Sequence, residues 1–268
     1  MGAPEYTQRA LAYLRLRGET LKDNLYIQLA KTIYSLYRFY SFFFPLKYKH
    51  IGNFLIENVT AITSYGKFYC RKYEEDLGII SDAYEIKTIK EFISLSKGKD
   101  LVIDVGAHIG KYTILAAKLS KKVIAIEPNK ENFTILERNI RLNRLNNVYA
   151  LNLAAFNKNS KLKLYIGDTS GQHSIFKKYG NYQSVDGIKL DSLFKRLNIK
   201  KVDLIKIDVE GAELQVLLGM LEYLKKRRVK NIIIEVKPNN LRKIKRLFEK
   251  LGYLIKKIED ENYIVTTK

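Results

Sequence analysis

From residue 53 onward, apolar positions recur with a period that switches between two and about 3.6, the signature of strands alternating with amphipathic helices. Leu101, Val102, Ile103 and Val105 form a short apolar run, predicted as a parallel strand covered on both faces. Gly106 and Gly110 punctuate the turn after it, and helical spacing resumes through Tyr112, Leu115, Ala116 and Leu119. Lys122 to Ile126 predicts a second strand. Asn129 to Asn143 predicts a helix with Phe133, Leu136 and Ile140 inward, and Val148 to Leu153 a third strand. The fourth and fifth strands are Val202 to Ile207 and Ile232 to Val236, followed by a basic helix from Leu241 to Leu251. Two closing strands are expected within Tyr253 to Val265. The alternation predicts the α/β class: a doubly wound, Rossmann-like sheet, mostly parallel, with one antiparallel strand near the C-terminus.

The chain before this domain follows other rules. Residues Leu25 to Leu46 are almost entirely apolar or aromatic and end in Phe42, Phe43 and Phe44. Lys31 and Arg38 lie inside the stretch and tyrosines stand where a spanning helix would carry leucines, so a membrane span is not expected. With Tyr34, Tyr37, Phe39, Tyr40, Phe42, Phe43 and Phe44 crowded together, the helix is expected to pack at least one face on the small sheet that follows it, leaving some of that surface outside. The alternative is a helix lying in a membrane interface, flanked by Lys47 and Lys49. Asn53 to Ile80 alternates with period two around Gly66, predicting a β-hairpin with Cys70 buried as a small hydrophobe. Ser81 to Leu95 returns to helical spacing. Three parts are therefore expected: an aromatic helical segment over 1–50, a hairpin-and-helix porch over 51–96, and the main domain over 97–268.

Charge widens the picture. With 48 Lys and Arg against 28 Asp and Glu the net charge is +20, which favours anionic partners such as nucleic acid, acidic lipid headgroups or phosphorylated sugars. The competing explanation is Lys and Glu enrichment set by a hot habitat. One cysteine excludes an internal disulfide, and the three histidines, His50, His108 and His173, are scattered with no metal-ligand spacing. Residues 1–20 carry no apolar core of the signal-peptide type, so a cytoplasmic location is expected, with contact at the membrane periphery as an extension of it.

The chemistry concentrates at strand ends. Asp104 precedes a G-x-x-x-G turn in which His108 stands where dinucleotide-binding turns need a second glycine close to a pyrophosphate. The spacing suits a nucleoside with a charged amino-acid tail instead. Glu127 and Pro128 close the second strand about twenty residues on, where a carboxylate can accept both ribose hydroxyls. Asn152, Ala154 and Ala155 fall at the rim after the third strand, the alanines leaving space for a flat adenine. Lys161 to Gly171, with His173 and Ser174, reads as an insertion that covers the rim. After the fourth strand come Asp208, Glu210 and Gly211. Lys206 points from an otherwise buried strand and needs an acid such as Asp208, or solvent. Asp191 is expected to cap the helix that begins beside it.

From about Tyr84 onward the chain resembles the FkbM family of S-adenosylmethionine-dependent methyltransferases. The resemblance rests on IDVGAHIGKYT at Ile103 to Thr113, IEP at Ile126 to Pro128, NLAAFN at Asn152 to Asn157 and LIKIDVEGAELQVLLG at Leu204 to Gly219. It implies that Asp104, Gly106, Ala107 and Gly110 border the methionine part of the cofactor and Glu127 the ribose, with Asn152 and Ala154 beside the adenine. It also implies O-methylation of a small molecule, a glycan or a lipid-linked sugar. By position on the rim, Asp208, then Glu210, then His173 are the candidates for acceptor contact or general base. RNA methylation is the alternative that would use the basic charge. A nucleoside-binding or membrane-attached protein without catalysis is the third reading.

Overall fold

The computed structural model describes residue 13 and residues 15–44, 51–177 and 180–267; Lys47, Lys49, His50 and Tyr179 lie outside these. Strands β1 (Arg17–Gly18), β2 (Val59–Ile62) and β3 (Lys67–Cys70) make a small antiparallel sheet. The main sheet begins with β4 (Leu101–Val105), β5 (Lys122–Ile126) and β6 (Val148–Leu151). A second small sheet, β7 (Ala154–Ala155), β8 (Ser160–Tyr165) and β9 (Tyr182–Ile188), then interrupts it. The main sheet resumes with β10 (Val202–Ile207), β11 (Val229–Glu235), β12 (Tyr253–Glu259) and β13 (Asn262–Thr267).

Its order is β12-β13-β11-β10-β4-β5-β6. The last strand slots between β11 and β12 and runs antiparallel to both, while β11-β10-β4-β5-β6 are all parallel. The central strands β4 and β10 are buried along their whole length, which explains why they are apolar apart from Asp104, Asp203 and Lys206. The chain steps outward from β4 through β5 to β6 and then returns to lay β10 on the other side of β4. That reversal opens a crevice at the carboxyl ends of β4 and β10. The two strand ends meet there: Asp208 N–H donates to the Val105 carbonyl at 2.9 Å. A Cβ on Gly106, whose φ is +82°, would lie 1.7 Å from the Asp208 carbonyl oxygen. Only glycine fits this position.

Several boundaries differ from the sequence expectation. The helix expected from Ser81 starts at Ile86, because Glu85 adopts a left-handed conformation (φ 55°) and ends a run of turns. Asp191 lies in the first turn of the helix Leu190–Arg196 and does not cap it. Its carboxylate instead accepts the Glu222 and Tyr223 amides at 3.0 and 3.2 Å and so serves the start of the helix Leu221–Lys225. β9 pairs along most of its length with β8 in the small sheet that interrupts the main one.

The N-terminal aromatic segment forms a 23-residue helix, Leu21–Phe43, opened by a capping box between Thr20 and Asp23. One face packs: Ile27 and Ala30 are fully buried with Leu55, Phe68 and Leu77, and Ile109 and Ile114 of the main domain complete the same cluster. Tyr34 and Tyr37 stack against Phe54. Two asparagines fasten this porch to the helix Lys130–Leu142. Asn139 accepts the Tyr69 amide at 2.7 Å and donates to the Ile109 carbonyl at 2.8 Å. Asn143 likewise accepts the Lys67 amide and donates to the Lys67 carbonyl. The side-chain amides thus take the place of a fourth strand on the edge of β3. Asn139→Ala leaves two buried backbone groups unpaired and is expected to lower the unfolding free energy by roughly 2 kcal/mol or more in urea titrations. An unchanged midpoint would mean that water replaces the amide without loss.

Candidate active site

The crevice holds a cavity of about 310 Å³. One end lies against β4, β5 and β7, lined by Gly106, Ala107, His108, Glu127, Pro128 and Ala154. Glu127 is 5% exposed and fixed by two amides: Oε2 accepts from His108 N–H and Oε1 from Asn129 N–H, both at 2.9 Å. The Asn132 side chain adds a third hydrogen bond, and the acceptor sites left over on the two oxygens are open to a further donor. Burial pushes the Glu127 carboxyl up to about 7. His108, left-handed at φ 51°, turns the chain so that its amide reaches Glu127. Its imidazole Nε2 is buried without a hydrogen-bond partner, 4.0 Å from Asp76. Burial holds it near 4, so the ring is neutral at pH 7.

Three residues expected here do not line the cavity. Asp104 is buried behind the turn, where it accepts the Thr113 hydroxyl at 2.6 Å and pins the helix Lys111–Leu119 to β4. Gly110 lies against Leu136, with room for no side chain (2.6 Å). Asn152 points back along the chain, donating to the Glu127 and Pro128 carbonyls at 2.8 and 3.0 Å. They shape the wall rather than form it.

At the other end, segments far apart in sequence bring acids together. Glu85, Asp208 and Glu235 have carboxylate oxygens within 4.8 Å of one another, and Glu210 follows beside Lys237. Two lysines answer them. Lys206, fully buried, reaches Asp208 Oδ2 at 3.2 Å and Asn262 Oδ1 at 3.4 Å. Lys237 pairs with Glu235, and with Glu210 and Glu261 at 3.2 Å each. Glu85 accepts the Tyr112 hydroxyl at 2.6 Å and the Asn262 amide at 2.8 Å. The Asp208 charge, with burial, raises Glu235 to about 8; burial and Asp208 raise Glu210 to about 7. Burial alone would strip Lys206 of its proton, but Asp208, Glu85 and Glu235 outweigh it and raise its pKa above the ordinary lysine value.

His173 lies on the cavity wall with Ser170, Gly171 and Gln172. Its Nδ1 accepts the Gly167 amide at 3.2 Å, so the ring holds the loop's shape. Sequence reasoning missed Tyr84, Glu85 and Lys237 as cavity residues. Lys111 anchors the first two by donating to the Ser81 and Tyr84 carbonyls. Glu235 carried a readable signal, since it ends a strand beside the switch point.

A seven-stranded sheet with its last strand antiparallel between the fifth and sixth, and a buried acid ending the strand after the glycine turn, defines the methyltransferase class of α/β proteins. Residues 104–264 match the methyltransferase FkbM domain, and the chain belongs to that family. Among relatives, methyltransferase sdnD of Sordaria araneosa is 28% identical over 189 residues, 57% of this chain and 73% of that protein. A tRNA(Phe) (4-demethylwyosine(37)-C(7)) aminocarboxypropyltransferase of Methanocaldococcus jannaschii is 40% identical over 80 residues, 29% of this chain and 31% of its own. The crystal structure of methyltransferase FkbM from Methylobacillus flagellatus KT superposes with a TM-score of 0.45 at 16% identity, covering 64% of this chain and 44% of that one. Among the described residues no helix is long and apolar enough to cross a membrane.

The lysine at the centre of the acid cluster gives a direct test. Lys206→Met removes the charge that holds Asp208, Glu85 and Glu235 together. It is expected to lower stability by about 3 kcal/mol or more at pH 8 and by less at pH 6, where the raised carboxyls take up protons and their repulsion fades. Urea melts at the two pH values measure this. Equal losses would assign the effect to packing rather than charge.

Proposed function

We propose that the protein methylates a hydroxyl of a small molecule, a glycan or a lipid-linked sugar, with the cofactor and the acceptor entering opposite ends of the one cavity. The observation that carries this is the division of that cavity. A buried, half-satisfied carboxylate among small residues fills one end, and a crowded acid cluster the other. The first end fits S-adenosylmethionine. Glu127 has lone pairs to spare for the ribose hydroxyls, Gly106 and Ala107 leave the backbone open to the methionine part, and Ala154 and Ala155 leave a flat slot for adenine.

Bound there, S-adenosylmethionine supplies a methyl carbon on a sulfonium, an electrophile with its leaving group built in. The protein's part is alignment, exclusion of water and removal of the acceptor's proton. Asp208 extends from the end of β10 with one oxygen on Lys206. Its other oxygen is the proposed partner of the acceptor hydroxyl. The raised carboxyl of Glu235, within the same cluster, makes these acids a better proton store than a lone carboxylate. Lys237 keeps the net charge from growing further. The acids also weigh against RNA as the acceptor: phosphates drawn by the basic surface meet Glu85, Asp208, Glu210 and Glu235 at the reacting end, against two lysines.

Two experiments test this. Calorimetry should show S-adenosylhomocysteine binding that strengthens up to about tenfold from pH 6 to pH 8, as Glu127 (about 7 in the free protein) ionises. Glu127→Gln should bind more weakly and lose the pH dependence, and NAD should not bind comparably. Binding of NAD in preference to S-adenosylhomocysteine would overturn the cofactor assignment.

Turnover on a hydroxyl acceptor found by screening glycan, lipid and RNA fractions with labelled S-adenosylmethionine should rise with pH toward about 8 as the cluster loses its proton. Asp208→Asn should reduce kcat by roughly a hundredfold or more while cofactor affinity is kept. Full activity in Asp208→Asn would remove it from the chemistry.

A further inference from the structure

The helix Leu21–Phe43 is apolar on two sides. The side carrying Ile27 and Ala30 is buried in the porch. On the other, Leu21, Leu25, Leu29, Leu36, Phe39 and Phe43 follow one another at spacings of four, four, seven, three and four and are 40–91% exposed. At 3.6 residues per turn these positions form one continuous stripe about 34 Å long. It broadens at its C-terminal end, where Tyr40, Phe42 and Phe44 are also exposed. A run of this length does not arise from scattered surface hydrophobes and marks a contact surface.

The charges around it identify the occupant. From Asn24 to Ile56 the sequence holds no Asp or Glu, while Arg38 falls within the helix and Lys47 and Lys49 follow it in sequence; Lys31 is turned inward and donates to the Leu16 carbonyl at 2.8 Å. The acid at the helix start, Asp23, is engaged by its capping box with Thr20. A second copy laid on the stripe would bring two chains of net charge +20 together with no acid along either stripe to relieve them. An anionic lipid surface satisfies both features, taking the leucines and phenylalanines into the headgroup boundary while the chain's net charge of +20 is drawn to its phosphates. The helix is too polar to span a bilayer, and its inner face is already occupied by the porch. We propose that the stripe from Leu21 to Phe44 lies in the interface of an anionic membrane and holds the protein there as a peripheral, salt-sensitive attachment.

Sedimentation of the full chain with vesicles tests this, comparing phosphatidylcholine alone with phosphatidylcholine containing phosphatidylserine. Binding to the anionic vesicles at low salt is expected, weakened at least tenfold in about 1 M salt, where screening extends only ~3 Å. The variant Leu36→Ser/Phe39→Ser/Phe43→Ser alters exposed side chains only and should keep its circular dichroism and urea midpoint while losing vesicle binding. Because the chain contains no tryptophan, Phe43→Trp gives a background-free reporter whose emission should shift to the blue on adding anionic vesicles. The proposal is overturned by any of four results. These are no sedimentation, equal binding to neutral vesicles, retained binding in the triple variant, or a concentration-dependent dimer that the triple variant abolishes while the parent ignores vesicles.

Discussion

A single buried ammonium organises the centre of this protein. Lys206 is fully buried in a strand whose every residue is buried, and such a charge costs several kcal/mol unless opposite charges and hydrogen bonds surround it. The structure meets that demand from four directions. Asp208 comes from the same strand, Asn262 from the antiparallel strand, Glu85 from the turn before the first core helix, and the Tyr112 ring lies 5.2 Å away. Asn262 passes the link on, its amide donating to Glu85. The lysine thereby draws elements that share no sequence neighbourhood onto the carboxyl edge of the sheet. The acids it gathers are the ones that crowd one end of the cavity.

Parts of this were legible in the sequence for definite reasons. Buried parallel strands must be apolar, so their runs announced themselves. The pairing of β10 with β4 followed from the doubly wound order. Lys206 could not remain unpaired, and its expected partner Asp208 lies 3.2 Å away. What stayed hidden depended on contacts across long stretches of chain. Asp191 lies beside one helix and caps another thirty residues on, because N-cap chemistry is satisfied by whichever free amides lie within reach. Asp104 carries the expected motif but spends its hydrogen bond on Thr113, nine residues away on the next helix. Glu85 is positioned by a left-handed residue that is not glycine, and no pattern of residue types foretells that.

Charge is distributed in opposite senses at two scales. The molecule as a whole is strongly basic, yet its cavity ends in a cluster where acids outnumber lysines. The surface governs approach, through fields that salt screens within about 10 Å, while the enclosed acids act at contact distance where screening is weak. A protein built this way can be drawn to an anionic surface and still disfavour an anionic group inside its cavity. The two properties therefore need separate explanations, and the +20 of the whole chain describes only the first.

The stretch shared with the family begins at residue 104. Tyr84 and Glu85, which line the cavity, and Lys206's link to Glu85 through Asn262 depend on residues before that point. The matched stretch alone therefore leaves one side of the cavity unlined, and Tyr84 and Glu85 of the preceding turn close it. Likeness over that stretch speaks for part of the cavity wall, and the remaining wall is written in this chain's own earlier residues.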